Sequence, residues 1–301
     1  MNSIQVGLQS NEIDFQKGSS LWEDAWKRLQ KNKLAWISGF FLVFLGIGCC
    51  FGPAFLQVVW GYDAHTQNLA YGPQPPSLEH PFGTDFYGRD LLTRVLSGAR
   101  VSLSVGLLAA LLAAFIGTIY GAVAGYFGGL VDSFMMRIVD ILYALPYMFL
   151  VIILVTILGK SLVLLFLALG AVGWLLTARV VRGQVLSLKE QDFVLAARSL
   201  GTTNRGIIFE HLIPNTLSSV IVTFTLTVPS MILQEAFLSF LGLGVQPPQP
   251  SLGSLINDGA NQMLVFWWTL VFPGGIMAIM LFALNFLGDG IRDALDPRMK
   301  I

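Results

Sequence analysis

Long uncharged stretches alternate with short charged ones along this chain, and that alternation predicts a bundle of membrane helices. A helix needs about 20 apolar residues to cross the hydrocarbon core. Six stretches meet or approach that length: 34–59, a run between Arg100 and Asp132 with a turn at Gly128-Gly129, 141–159, 161–178, a run from Pro214 to about Leu241 broken once by Glu235, and about 267–288. The expected fold class is an all-α integral membrane protein with six transmembrane helices. The first stretch follows 33 residues, too far from the terminus and too long for a cleaved signal, so it reads as a retained span.

Outside the spans, two segments carry helical periodicity. Ser20-Leu-Trp-Glu23 reads as a capping box, and Leu21, Trp22, Ala25, Trp26 and Leu29 then form one apolar stripe suited to a membrane interface. Between 181 and 215 lies a polar stretch larger than a connector needs. Within it, Phe193, Ala196, Ala197 and Leu200 recur at helical spacing. Gly201 is a natural helix stop, Thr202, Thr203 or Asn204 can cap a second short helix, and Pro214 ends or redirects the chain. Such an alanine-lined helix–turn–helix fits either a cleft on another protein or the chain's own spans. Asp90 is expected to cap another short amphipathic helix that stops near Gly98.

Composition agrees with the pattern. Charged residues make up 12% of the chain and hydrophobic ones 54%, against about 25% charged in soluble domains, and the mean hydropathy is +0.69. Eighteen basic residues balance eighteen acidic ones, which argues against nucleic acid as a partner. The adjacent Cys49 and Cys50 cannot staple a secreted fold. The basic residues are unevenly placed: with the N-terminus inside, fourteen fall on the cytoplasmic side and four (Arg89, Arg94, Arg100, Lys160) outside. Basic residues favour the cytoplasm, so both termini are expected there.

Catalytic inventory is thin. The three histidines, His65, His80 and His211, lie outside the expected spans, which argues against an intramembrane hydrolase, haem ligation or a buried zinc motif. Gly159-Lys160-Ser161 imitates the end of a phosphate loop, but Leu154 stands where its first glycine belongs. No cofactor or metal is expected on this chain, and any ATP that drives it must bind elsewhere.

Three features inside the spans carry candidate roles. Gly117, Gly121 and Gly125 form a flat ridge for close packing, either within the chain or against another subunit. Pro53, Pro146, Pro229 and Pro273 each remove a helix hydrogen bond and bend the helix unless neighbours compensate. Glu235 is the acidic residue well inside a span, where a carboxylate usually faces the bundle interior or water. With Thr223, Thr227, Ser230 and Gln234 it is a candidate for the edge of a polar translocation pathway; the alternative is solvation near the membrane surface.

The polar segment also resembles a known motif. Ala196-Ala197, three residues, Gly201, nine residues and His211-Leu-Ile-Pro214 keep the spacing of the "EAA" loop of bacterial ABC-importer permeases. Leu195 stands in place of the usual Glu, and Ile213 at the usual Leu. The segments 80–103, 229–259 and 287–298 resemble the permeases of the oligopeptide, dipeptide and nickel group, most nearly the C-type oligopeptide subunit.

The resemblance implies a type I ABC-importer permease fold and a non-catalytic subunit of the bacterial inner membrane. Such a subunit forms half of a pathway for oligopeptides or dipeptides, with nickel or another small solute as an alternative cargo. The implied partners are a homologous second permease, two cytoplasmic ATPase subunits carrying ATP and Mg, an extracytoplasmic solute-binding protein, peptide substrate and membrane lipid. Phe193, Ala196, Ala197, Leu200, Gly201 and Pro214 become the ATPase-coupling handle, which would move with the ATPases and tilt the spans. The expected divisions are 1–33 (cytoplasmic segment with the interfacial helix), 34–100 (first span and outer loop), 101–288 (five-helix core with coupling loop 181–215) and 289–301 (cytoplasmic tail). An autonomous channel or secondary transporter is the competing class. It would need ion-coupling groups in the spans, where only Glu235 is offered.

Overall fold

A computed structural model describes residues 21–295. The capping-box Ser20 therefore lies outside the described residues, as do Lys17, Arg298 and Lys300. Regular structure among the described residues is helical, with one isolated bridge between Thr84 and Asp90.

Helix α1 (Leu21–Lys31) leads, after Asn32, into α2 (Lys33–Trp60), whose first turn is capped by the Asn32 side chain. Phe40, Phe44, Ile47, Phe51 and Phe55 of α2 are exposed, as expected of a helix that faces lipid. Helix α3 (Leu91–Phe127) runs through the centre of the bundle and lines its inner contacts with Ala109, Ala110, Ala113 and Gly117. Asp90 caps it as expected, accepting from Thr93 N at 2.8 Å. It does not stop at Gly98. There a Cβ would lie 3.1 Å from the Ser251 carbonyl carbon, so that glycine permits a close approach rather than ending the helix.

The turn at Gly128-Gly129 forms, both residues at positive φ, and starts α4 (Gly129–Ala144). The stretch 141–159 is not one straight helix. Pro146 has no N–H and pushes Leu145 into an extended conformation, so α4 and α5 (Tyr147–Leu158) meet at 89°. The next stretch bends by 41° between α6 (Leu162–Gly173) and α7 (Leu175–Leu188). Between α5 and α6, Gly159-Lys160-Ser161 makes a simple turn. Ser161 caps α6, and Lys160 Nζ donates to Gly242 O at 3.1 Å.

Helix α8 (Asp192–Ser199) ends at Gly201, whose φ of +82° suits glycine. Then α9 (Asn204–Gly206), a π-helical turn (Ile207–Leu212) and α10 (Ile213–Phe240) form a continuous helix. Pro214 therefore does not end the second helix. The π turn before it, in which Ile213 N donates to Ile208 O, widens the helix ahead of the proline ring. Pro53, Pro229 and Pro273 likewise lie inside continuous helices. Helices α11 (Leu252–Ala260) and α12 (Trp268–Leu295) complete the order.

Among the described residues, four helices are long and apolar enough to cross a membrane, or up to six spans if each bent pair counts as one. The glycine ridge packs within the chain. A Cβ on Gly117 would meet Thr177 Cβ at 2.6 Å, and one on Gly125 would meet Val185 Cβ at 3.0 Å, so α3 and α7 touch backbone to backbone.

Candidate functional site: a cavity, a buried carboxylate and an exposed handle

A cavity of about 740 Å³ opens between the α4–α5 break, the α6–α7 bend and α10. Thr223, Thr227, Ser230 and Gln234 all line it. They stand at i, i+4, i+7 and i+11, which is one stripe of a 3.6-residue helix. The Thr223 and Thr227 hydroxyls donate to Ser219 O and Thr223 O, at 2.8 and 2.7 Å. Gln234 Oε1 is buried without a hydrogen-bond partner among the described residues. Across the cavity stand Pro146, Tyr143 and Tyr147, and the Tyr147 hydroxyl donates to Leu169 O at 3.0 Å. Arg292 of α12 brings a cation to the wall.

Glu235 does not belong to this stripe. One residue beyond Gln234, it is turned about 100° round the helix and is fully buried, at 0% exposure. Ser102 Oγ donates to Oε2 and Ser239 Oγ to Oε1, both at 2.7 Å. Ser102 Oγ in turn accepts from Leu252 N at 3.1 Å, and Ser239 and Ser251 hydroxyls lie 3.2 Å apart. The carboxylate thus joins α3, α10 and the start of α11, as neither a pathway edge nor a solvated surface group. Burial of a carboxylate demands such saturation with donors.

The expected handle divides into two faces. Phe193, Ala196 and Leu200 are exposed, Leu200 at 87%, whereas Ala197 is 7% exposed beside the buried Val194. Leu195 is also exposed. The segment is tied to the bundle at several points. Tyr126 Oη donates to Asn204 Oδ1 at 2.7 Å, and Lys189 Nζ donates to Gly125 O at 3.0 Å. Arg182 holds Asp132 through two bonds of 2.5 and 2.6 Å. These links join the end of α3 to α9 and to the end of α7, and α7 in turn to α4.

Sequence periodicity missed Tyr143, Tyr147, Met231 and Arg292 of the cavity wall. The available signal was Pro146: a proline in an apolar run opens the backbone and leaves room beside it.

Bent apolar helices with exposed apolar flanks around a polar-striped cavity define a multi-span membrane protein with a cleft between its helices. The family model for the binding-protein-dependent transport system inner membrane component matches residues 117–301. A second, for the N-terminal TM domain of oligopeptide transport permease C, matches residues 20–76. The chain belongs to this family of inner-membrane transport components. It is 49% identical over 299 residues to the oligopeptide transport system permease protein OppC of Escherichia coli K12, covering 99% of this chain and 97% of that protein. The Bacillus subtilis OppC is 45% identical, covering 94% and 92%, and the dipeptide transport system permease protein DppC of that organism is 47% identical, covering 97% and 91%. A chain of the MetNI methionine ABC transporter, solved in inward-facing conformations, shares the fold with a TM-score of 0.50 at 18% identity, over 68% of this chain and 96% of that one.

Proposed function

We propose that this chain is one of two homologous permease subunits of an ATP-driven importer and forms half of a pathway for oligopeptides or dipeptides. The observation that carries this reading is the cavity lined by the 223–234 stripe of α10, in a chain that also bears a short helix, α8, with Phe193 and Leu195 exposed on it and Leu200 exposed just after it. Neutral polar groups suit a cargo whose amides are constant and whose side chains vary. The relatives' names support the peptide assignment.

In this reading each bent pair counts as one of six spans, and both termini and α8 face the cytoplasm, following the bias of basic residues. The chain itself is non-catalytic. Two ATPase subunits bind ATP and Mg and receive Phe193, Ala196 and Leu200. A solute-binding protein delivers peptide on the opposite side. Closure of the ATPases would carry α8 with them, and the ties to α3, α4 and α7 would pass that movement to the walls of the cavity.

Reconstitution tests the reading. Vesicles holding both permeases, both ATPases and the solute-binding protein should accumulate labelled peptide only with ATP. Uptake by this chain alone, without ATP, would instead establish an autonomous transporter.

A further inference from the structure

At the end of the bundle opposite α8, two arginines are buried against a polar recess. Arg89 is 8% exposed and Arg94 4%. Both help line a cavity of about 340 Å³ closed by the Pro247-Pro248 loop and by Asn257 and Asp258 of α11. Their charges are incompletely answered. Asp85 Oδ2 accepts from Arg89 Nε at 2.7 Å and lies 3.3 Å from Arg94 Nε. The second approach makes no hydrogen bond, so among the described residues the buried Arg94 Nε–H has no acceptor. Arg94 Nη1 donates to Ala64 O at 2.9 Å, a neutral partner. Asp85 is also committed to the backbone, accepting from Tyr87 N and Arg89 N at 2.9 and 3.0 Å.

Asp258 stands exposed at the edge of the recess, with the walls around it removing part of its water. That desolvation pushes its carboxyl up, against the pull of Arg94 and Arg89. Among the described residues both arginines form their ion pairs with Asp85 and neither with Asp258. Two buried guanidiniums share one fully engaged carboxylate, and an unmade hydrogen bond at a buried charged donor is costly.

We propose that this recess is a carboxylate-binding site that takes the C-terminal carboxylate of a peptide at the entrance to the pathway. The guanidinium fork matches a carboxylate in shape and charge. Because both arginines lie below the surface, the end of an extended chain can reach them where a flat protein face cannot. The site rests on the peptide-importer reading for the source of its ligand.

The test is equilibrium binding to the assembled transporter in nanodiscs, without ATP or solute-binding protein. The probes are N-terminally labelled trialanine with a free C-terminus and its C-terminal amide, with acetate as competitor. The amide should bind at least about tenfold more weakly, the loss of one charge-assisted hydrogen bond, and acetate should displace only the free acid. Gln249→Glu puts a like charge on the recess wall and leaves the buried arginines alone. It should weaken the free acid about tenfold and spare the amide. Equal binding of the two peptides, or no response to acetate and Gln249→Glu, would overturn the site. Uptake of the same peptides by the complete transporter separates the two claims. Import with equal binding refutes the recess alone, whereas import of neither peptide refutes its assigned ligand along with the peptide reading.

Discussion

The Ser102 hydroxyl donates to Glu235 Oε2 at 2.7 Å across the packed faces of α3 and α10. Ser239 supplies the second donor, and Ser102 simultaneously receives Leu252 N of α11. Replacing the carboxylate by Ala strands two buried hydroxyls and empties the space between three helices. Glu235→Ala should destabilise the protein by about 2–4 kcal/mol, read as a lower unfolding midpoint in detergent. Glu235→Gln keeps one acceptor oxygen and should lose about 1 kcal/mol. Equal losses would mean that the carboxylate does not hold these helices together.

Exposure separates the two faces of α8. Leu200→Glu alters a side chain that is 87% exposed, so the chain should fold normally and bind the ATPase subunits about thirtyfold more weakly, the loss of a 2 kcal/mol interface anchor. Ala197→Glu buries a charge beside Val194 and should instead reduce the amount of folded protein. Co-purification with the ATPases, compared with the unfolding midpoint, distinguishes the two effects.

The α3–α7 contact leaves no room for a side chain. At Gly121 an added Cβ would press on the Ala178 carbonyl and lie 3.0 Å from Arg182 N. Gly121→Leu should cost about 1–3 kcal/mol from overpacking, seen as a lower thermal midpoint. Gly183, with open space around its Cβ position, should accept Ala with little change.

Asp258 gives a pH dependence of defined sign. Desolvation raises its carboxyl above the ordinary value of 3.8, while Arg94 and Arg89 oppose the shift and Asp85 adds to it. The folded state then holds the proton more tightly than the unfolded state. The resulting stability is fully present below the unfolded value and is lost as pH rises through the folded one. Asp258→Asn should be more stable than the parent at neutral pH, with the difference shrinking toward acid. Unfolding midpoints measured across that range check both the sign and the convergence.

Much of this fold was legible in the sequence because helix length and helix stops are local properties. The apolar stretches, the Gly128-Gly129 turn, the stop at Gly201 and the cap at Asp90 all follow from neighbours within one turn. The 223–234 stripe is also legible, whereas the expectation that Glu235 joins it fails, because one further residue turns the side chain about 100° round the helix and into the packed interior. What periodicity does not carry is the partner across an interface. Glu235 is buried because serines 133, 4 and 16 residues away converge on it. Gly98 continues a helix because Ser251 needs the space, and Pro214 survives in a helix because the preceding turn widens. The sense of the 89° break at Pro146, and hence the cavity beside it, depends on tertiary packing that the sequence pattern leaves open.

The central claim is that the α10 stripe lines the path of the cargo. Thr227→Trp would place a large ring in the cavity from a position that is only partly buried. ATP-driven peptide uptake by the reconstituted transporter carrying this variant is the direct measurement. The account predicts that uptake falls to the ATP-free level while the subunits remain assembled and continue to hydrolyse ATP. Undiminished uptake with the ring in place would contradict it.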